Sequence, residues 1–441
     1  MKKVLIILLI LIITGGMYLF AFTDFFKEVK ESIIKPKFIY EDILNNTKGE
    51  VEVSRYTIYG KHLNLEGAIN ISKEEDILTP SVYTIVLKNE KEEIIVPTIV
   101  EDNYFTLSKN INNGINLEKM NIGNYILMLK DTSNNIYYNL INKTDYHDNV
   151  YYTITKNGKN NKITFPEKLF QNINYWSINV EDTKLPEDVY DIVIDPGHGG
   201  IDTGASNGKY NESKFTLDYA KTLRDVLTEE GLKVKLTREE DVKIDHYGAG
   251  SRTGIPYEVK AKLMYSVHLN SSNSKNQRGV EIYTAFNDNY DYAKKIAANI
   301  VEMVGTPYSN NPMHKVMDGI YMRVYSASDR ENLKKDGQKG NFEPYVIDEN
   351  TTYYYFIRET GGIMTKAFSD GRNPQYKANI YRNMNQGVEA YLCEIAYISQ
   401  KDDLNLVLNK KDSFINALKK SVLDYLDREI PEDIQELDNN Q

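Results

Sequence analysis

The chain has 441 residues, of which 41% are hydrophobic and 26% are charged, and its formal net charge at pH 7 is -10. This length and ordinary composition predict a folded protein of two domains with an appendage. The negative charge, together with the lack of a dense Lys/Arg tract, argues against nucleic acid as a partner. The single cysteine, Cys393, excludes an internal disulfide framework and any CxxC metal site, so a bound metal must be held by His and carboxylates.

The N-terminal segment is nearly uncharged over residues 4–22 and follows two lysines. This run approaches the roughly 20 residues that a membrane-spanning helix needs. Because its end makes a poor cleavage site, we expect residues 1–23 to be an uncleaved, single-pass membrane anchor rather than a signal peptide. The paired lysines would place the rest of the chain on the extracytoplasmic side. Residues 24–44 have mixed charge and are expected to form a stalk.

Residues 45–180 contain short runs of alternating apolar and polar residues, such as 51–59 and 81–87, separated by Asn- and Gly-containing turns. Several short strands at this spacing predict an all-β, sandwich-like domain. The segment contains no constellation of catalytic residues, so a spacer is the first interpretation and a binding module is the alternative. Residues 181–188 are charged, contain a proline and are predicted to be a linker.

Residues 189–430 alternate strand-like and helix-like patterns, and an acidic tail at 431–441 follows. The buried run at 191–195 ends in a Gly-rich turn, and a helix is predicted to begin after Asn211. Alternating strands and helices predict an α/β domain with an open, twisted, mostly parallel sheet and helices on both faces. Further strands are predicted at 232–237, 263–268, 279–283 and 390–394.

Four polar residues lie at the ends of these predicted elements: His198, Glu212, His268 and Glu394. The carboxyl ends of parallel strands share one edge of a sheet, so these side chains can converge in one site. Two neutral imidazoles and a carboxylate suit a catalytic zinc ion, and the remaining carboxylate could act as general base and then acid. Taken singly, Glu212 could simply favour a helix N-terminus and Glu394 could be a surface charge.

Six motifs on these elements occur in the order typical of one enzyme family. The sequence resembles the zinc-dependent N-acetylmuramoyl-L-alanine amidases that hydrolyse bacterial peptidoglycan, over roughly 190–285 and 388–427. In combination the motifs are highly specific. They lie at 194–205, 212–214, 236–238, 266–271, 279–283 and 394–399.

The resemblance implies that His198, Glu212 and His268 bind one Zn²⁺ and that Glu394 is the catalytic carboxylate. It also implies cleavage of the amide between the lactyl group of muramic acid and the first L-alanine of the stem peptide. Arg252 matches an arginine of the family and is interpreted as structural.

The function expected from these features is that of a membrane-anchored, extracytoplasmic zinc amidase. Its expected partners are peptidoglycan, the membrane through the N-terminal helix, and a protein activator or wall ligand of the β-domain. One alternative is a zinc peptidase acting on wall peptides, which the absence of an HExxH motif disfavours. The other alternative is a non-catalytic wall-binding or regulatory protein on the same fold.

The sequence departs from the family pattern at three places. Leu269 replaces a small residue, and Ala-Tyr at 396–397 replaces the commoner Gly-Phe. A long insertion at about 306–387 contains Arg323 and a tyrosine run at 353–355. It is either a surface elaboration or a substrate wall or lid beside the site.

Overall fold

The architecture is described from a computed structural model, which describes residues 40–71, 80–154, 159–340, 347–365 and 384–428. Within these ranges the chain forms two sheets of very different character. An N-terminal β-domain is followed by a domain in which helices cover a mixed sheet.

The predicted anchor at 1–23 and the predicted tail at 431–441 lie outside the described residues. Of the predicted stalk, the structure describes the end, which includes helix α1, Glu41–Leu44. In the described part of the chain no helix is long and apolar enough to cross a membrane. The longest helix there, Glu212–Glu229, has 18 residues and carries charged side chains along its length, whereas a membrane span needs about 20 mostly apolar residues. The prediction of a single-pass membrane location is corrected accordingly.

The β-domain is built from thirteen described strands that follow one another along the chain. Their bounds are β1 Thr47–Tyr59, β2 His62–Ala68, β3 Tyr83–Lys88, β4 Glu93–Val96, β5 Ile99–Glu101, β6 Tyr104–Thr106, β7 Ile115–Asn116, β8 Gly123–Asp131, β9 Ile136–Asn142, β10 Val150–Tyr152, β11 Asn160–Thr164, β12 Glu167–Phe170 and β13 Ile173–Thr183.

Most neighbouring strands in this sheet are antiparallel, and the main order is β10-β11-β13-β8-β9-β1-β2-β6-β5. Within this order, β1 and β9 are parallel. The fully buried Trp176 lies in the core with its ring 5.0 Å from that of Tyr56. Its indole Nε1 donates to the carbonyl oxygen of Phe165 at 2.8 Å, so the one polar atom of this side chain is satisfied.

The second domain begins with β14, Ile192–Pro196, all of whose residues are buried. Its other strands are β15 Ser206–Asn207, β16 Tyr210–Asn211, β17 Val234–Leu236, β18 Leu263–Asn270, β19 Glu281–Tyr283, β20 Lys315–Met317, β21 Ile320–Tyr321, β22 Gln386–Gly387 and β23 Glu389–Tyr397. Its helices are α2 Glu212–Glu229, α3 Ile255–Glu258, α4 Asp291–Val304, α5 Ala327–Gly340, α6 Tyr355–Thr360, α7 Lys401–Asn409 and α8 Lys411–Tyr425.

The sheet of this domain has the order β17-β14-β18-β23-β19-β21-β20. The first four strands are parallel, but β19 is antiparallel to β23 and β20 is antiparallel to β21. The short connection between β18 and β19 contains no described helix, and a parallel return needs a longer crossover. The predicted α/β architecture is therefore present, with a mixed sheet.

The two faces of this sheet are covered differently. Helices α2, α4, α7 and α8 pack on one face, where Ile194, Val267 and Cys393 belong to one apolar core. The opposite face is covered by the short helices α3 and α6, which contribute Ile255 and Phe356 to a smaller core. Helices therefore lie on both faces. The second face is covered only by short helices, which leaves space there for polar side chains.

The two domains are joined by hydrogen bonds as well as by the chain. Strand β22 pairs in parallel with β1, so that Tyr59 lies opposite Gly387. The side chain of Asn385 donates to the carbonyl oxygen of Tyr56 at 3.0 Å. Because β23 starts two residues after Gly387, the β-domain contacts the chain just before the strand that carries Glu394.

A buried acidic pair lies at this interface. Asp288 and Glu389 both accept hydrogen bonds from the side-chain amide of Asn112, at 2.6 and 3.1 Å. The hydroxyl of Tyr425 donates to Glu389 at 2.8 Å. Burial, followed by the charge of Asp288, raises the pKa of Glu389 to about 7.

We expect Glu389→Gln to flatten the dependence of stability on pH. The pKa of Glu389 in the folded protein lies above its ordinary value of 4.5, so the folded state favours the neutral carboxyl group. The stability that this gives is full below about pH 4.5 and is lost as the pH rises through about 7. The neutral amide should make the variant more stable than wild type at pH 8, by roughly 3 kcal/mol at most, with little difference at pH 5. Thermal unfolding across this range measures the effect.

The exposed Glu90 provides a control for that experiment, because Glu90→Gln removes the same charge without burial. If the stability of Glu389→Gln depended on pH as steeply as that of wild type, Glu389 would be ionised in the folded protein at neutral pH.

Candidate functional site

The turn after β14 places the first candidate residue. His198 has φ of +61°, an unusual conformation for a residue with a side chain. Arg252 holds this turn by donating to the carbonyl oxygens of Pro196, at 2.9 Å, and His198. Arg238 donates to the carbonyl oxygen of Gly197 at 2.9 Å. The backbone strain at His198 is thus maintained by buried arginines, as is common at functional sites.

Two glycines allow the candidate residues to approach each other. A Cβ at Gly197 would lie 2.4 Å from the ring of His268. A Cβ at Gly204 would lie 2.5 Å from the ring of His198 and 2.6 Å from Oε2 of Glu212. Glycine is therefore required at both positions, because a side chain there would collide with His268 or with His198 and Glu212.

Glu212, the first residue of α2, is the centre of the group. Its Oε2 lies 3.2 Å from Nε2 of His198, and its Oε1 lies 2.9 Å from Nδ1 of His268. The backbone amide of Ala205 donates to Oε2 at 2.8 Å, and that of Leu269 donates to Oε1 at 3.0 Å. Each carboxylate oxygen is thus held by one imidazole and one backbone amide.

The carboxylate of Glu212 is held in its charged form. Burial alone would raise the pKa of Glu212, but hydrogen bonds and charge from His198 and His268 hold it far below its usual range. Burial alone would likewise lower the pKa of His198, and the Glu212 carboxylate, followed by Asp202, raises it instead. Nδ1 of His198 lies 3.0 Å from Asp202, which orients the ring so that Nε2 points at Glu212.

His198, Glu212 and His268 form a group that could hold a metal ion. One ligand atom from each lies within 4.8 Å of the others. Two imidazoles and one carboxylate are a suitable donor set for a tetrahedral catalytic metal that keeps its fourth position free. The second nitrogen of His198 is occupied by Asp202, an arrangement typical of metal-binding histidines.

Glu394 lies beside this group in the sheet. It is the register partner of His268 on one side and of Glu281 on the other. Its Oε2 is buried and accepts no hydrogen bond from the described residues. Burial, followed by the charges of Glu212 and Glu281, raises the pKa of Glu394 well above its usual range.

Glu281 differs from Glu394 because its oxygens are occupied. It accepts hydrogen bonds from Asn270 at 2.9 Å, Tyr283 at 2.8 Å and Ser309 at 2.7 Å, and also from Tyr397. The hydroxyl of Tyr397 accounts for one departure from the family pattern, since phenylalanine there would lose this bond. Of the two carboxyl groups, Glu394 is the one with an oxygen available for chemistry.

Asp195 supports the site from beneath the Gly-rich turn. It accepts hydrogen bonds from Ser266 at 2.6 Å and Thr237 at 2.5 Å, and it pairs with Arg252. Burial alone would raise the pKa of Asp195, but Arg252 and the two hydroxyls hold it below its usual value. The structure thus gives Arg252 a positioning contact, in line with its structural interpretation.

The tyrosine run of the insertion lies along the site. Tyr354 packs edge-on against Tyr283 with ring centroids 4.9 Å apart, and burial followed by the charge of Glu394 raises the pKa of Tyr354 to about 12. Tyr355 stacks on His246 at 4.3 Å and an interplanar angle of 15°. Burial and the nearby Asp195 raise the pKa of Tyr355. The two consecutive tyrosines therefore contact residues near the candidate group, and the charges of Glu394 and Asp195 reach them.

The structure brings together all four residues singled out in the sequence: His198, Glu212 and His268 in one group, with Glu394 beside them. His246 and His314 are not part of that group. Sequence reasoning assigned no role to Asp202, although its position four residues after His198 in a Gly-rich turn is a usable signal. The roles of Glu281 and Tyr354 depend on pairings between distant segments and carry no such signal.

Residues 192–325 match the family described as N-acetylmuramoyl-L-alanine amidase. The chain is 38% identical over 97 residues to a probable cell wall amidase, LytH, of Staphylococcus epidermidis, covering 21% of this chain and 30% of that protein. It is 32% identical over 143 residues to a germination-specific N-acetylmuramoyl-L-alanine amidase of Bacillus subtilis, covering 30% of this chain and 60% of the relative. The chain therefore spans less than two thirds of either relative.

Solved structures of similar proteins include Cwp6 from Clostridium difficile, at 25% identity and a TM-score of 0.36, covering 54% of this chain and 29% of that one. The catalytic domain of CwlV, an N-acetylmuramoyl-L-alanine amidase from Bacillus (Paenibacillus) polymyxa, is 20% identical with a TM-score of 0.35 and covers 55% of this chain and 100% of that one.

Proposed function

We propose that this protein hydrolyses the amide bond between N-acetylmuramic acid and L-alanine in peptidoglycan, using one zinc ion held by His198, Glu212 and His268. The observation that supports this most is the convergence of two imidazoles and a charged carboxylate beside a carboxyl group with a free oxygen. The amidase match over 192–325 and the names of the relatives support the substrate class.

The zinc ion would supply a Lewis acid that polarises the substrate carbonyl and lowers the pKa of water. Glu212 would bind in its charged form, as its hydrogen bonds already favour. Burial alone would lower the pKa of His198, but the Glu212 carboxylate raises it, and a ligand imidazole must be neutral, so metal binding would release a proton from His198. Asp202 would keep Nδ1 of His198 engaged and leave Nε2 for the metal.

Glu394 would move the proton in this reaction. A cation held by the three ligands would favour the carboxylate form of Glu394, against the burial and the neighbouring carboxyl groups that raise its pKa. In that form, its Oε2 would accept a proton from the attacking water as the water oxygen bonds to the carbonyl carbon. The same oxygen would then donate that proton to the alanine nitrogen as the carbon–nitrogen bond breaks. The products would be the lactyl carboxylic acid and a stem peptide with a free amino terminus.

We also propose that the chain is divided into the β-domain and the amidase domain, with the β-domain supporting the site. The support for this is the pairing of β22 with β1 immediately before the strand that carries Glu394. The insertion would then be a wall of the substrate site, since Tyr354 and Tyr355 lie along it.

Digestion of purified peptidoglycan by the full chain tests the proposed function. We expect mass spectrometry to detect stem peptides with free N-terminal alanine and intact glycan strands, and we expect a zinc chelator to abolish their release. Cleavage inside the peptide would identify a peptidase instead. Binding to peptidoglycan without any product, with zinc present, would identify a binding protein on the amidase fold and overturn the proposal.

A further inference from the structure

Arg323 lies in the insertion, directly after the strand pair β20 and β21. Its carbonyl oxygen accepts a hydrogen bond from the backbone amide of Tyr353 at 2.8 Å. The next residue, Val324, forms an isolated bridge with Thr352. The backbone of Arg323 is therefore fixed by the tyrosine run that lies along the site.

The guanidinium group of Arg323 is held flat against an aromatic ring. Its Cζ lies 3.4 Å from the centroid of the Tyr353 ring. Such stacking orients the planar donors of arginine and limits the entropy lost when they bind an acceptor. The group thus has a defined direction although the side chain is partly exposed.

In the described part of the chain Arg323 forms no ion pair within 4.0 Å, and its Nε is buried and without a hydrogen-bond partner. Its charge acts on Asp329 only from a distance: hydrogen bonds from Ser326, followed by the charge of Arg323, hold the pKa of Asp329 below its usual value. Two buried arginines of this domain have carboxylate partners. Arg252 pairs with Asp195, and Arg358 pairs with Glu359 at 3.0 Å. A buried donor that is left unpaired costs free energy, which a ligand with an acceptor would recover.

Tyrosines connect Arg323 to the part of the site that contains Glu394. The ring of Tyr354 packs against the rings of Tyr353 and Tyr283, with centroids 5.8 and 4.9 Å apart. Burial, followed by the charge of Glu394, raises the pKa of Tyr354. Tyr283 in turn donates to Glu281 at 2.8 Å. A substrate group bound to Arg323 would therefore be separated by Tyr354 from the carboxyl group of Glu394, which is proposed to move the proton.

We infer that Arg323 binds a free carboxylate of the stem peptide and so determines which stem peptides the site accepts. This inference rests on the proposed amidase function. A γ-linked glutamate at the second position of the stem has a free α-carboxylate, the acidic group nearest to the muramoyl–alanine bond. Arginine binds carboxylates with two parallel hydrogen bonds, a geometry that an amide in the same place cannot reproduce.

A pair of substrates tests the inference with the full chain loaded with zinc. The two N-acetylmuramoyl tripeptides differ only in whether the second residue has an α-carboxylate or an α-carboxamide. We expect wild type to favour the carboxylate by about tenfold or more in kcat/KM, the effect typical of a charged hydrogen bond. Arg323→Gln should bring the ratio of the two values near one, mainly by raising KM for the carboxylate substrate.

Two further variants separate recognition from folding. Arg323→Lys keeps the charge but loses the planar fork, so it should restore only part of the preference. Arg224 is partly exposed and pairs with Glu239 at 2.6 Å, and it supplies the control Arg224→Gln, which should keep the wild-type ratio. A thermal midpoint for each variant reports on folding.

Hydrolysis of neither substrate by wild type would overturn the proposed function and the inference with it. Equal hydrolysis of both substrates by wild type, or a wild-type preference retained in Arg323→Gln, would overturn the inference alone.

Discussion

Glu394→Gln is expected to lower kcat by roughly 10²- to 10⁴-fold while leaving the bound zinc and the thermal midpoint near wild-type values. The variant retains the shape of the side chain, but its amide cannot accept a proton from water and return it to the leaving nitrogen. His198, Glu212 and His268 remain in place, so metal binding should not depend on the change.

Turnover of a soluble muramoyl peptide measures the loss of kcat. Elemental analysis measures whether the zinc content is retained. Glu389→Gln is a matched control, because Glu389 is also buried and lies on the same strand but faces the domain interface. It should retain turnover at pH 7. Near-normal turnover in Glu394→Gln would assign the proton transfer to another group.

His268→Ala is expected to lose both the metal and the activity. Loss of a hydrogen-bond partner of a metal ligand lowers metal affinity roughly 10- to 100-fold, and loss of a ligand should cost more. The change also removes one of the two hydrogen-bond partners of Oε1 in Glu212, which leaves this buried carboxylate with the Leu269 amide alone at that oxygen.

Competition with a chromophoric chelator measures the zinc affinity of the variant. Asp202→Asn should give the intermediate, 10- to 100-fold loss, because it disturbs only the orientation of His198. His147→Ala is the control, since His147 is exposed in the β-domain and pairs with Glu167. Stoichiometric, tightly bound zinc in His268→Ala would refute the ligand set.

The strand and helix order of the second domain was predictable because it depends on local patterns. The apolar run at β14 is buried on both faces, and α2 begins directly after Asn211, as its sequence indicates. Cys393 directly precedes Glu394 on β23, and successive side chains of a strand point to opposite faces of the sheet. Cys393 is indeed buried in the helix-covered core, and burial raises the pKa of its thiol.

Strand direction and domain contacts were not predictable in the same way. The antiparallel placement of β19 and the pairing of β22 with β1 join segments that are far apart along the chain. A single sequence shows the hydrophobic period of each segment, but it does not show which distant segment will pair with it through hydrogen bonds.

By itself, the sequence determined the residue types capable of metal and proton chemistry and the turns and strand ends that present them, because periodicity and glycine placement are local properties. Only the tertiary structure decided which carboxyl group keeps a free oxygen. Glu281 is occupied by donors from three segments, whereas Oε2 of Glu394 meets none among the described residues. The positions of Arg323 and Tyr354 beside the site also follow from packing, since contacts across a folded core depend on the whole chain.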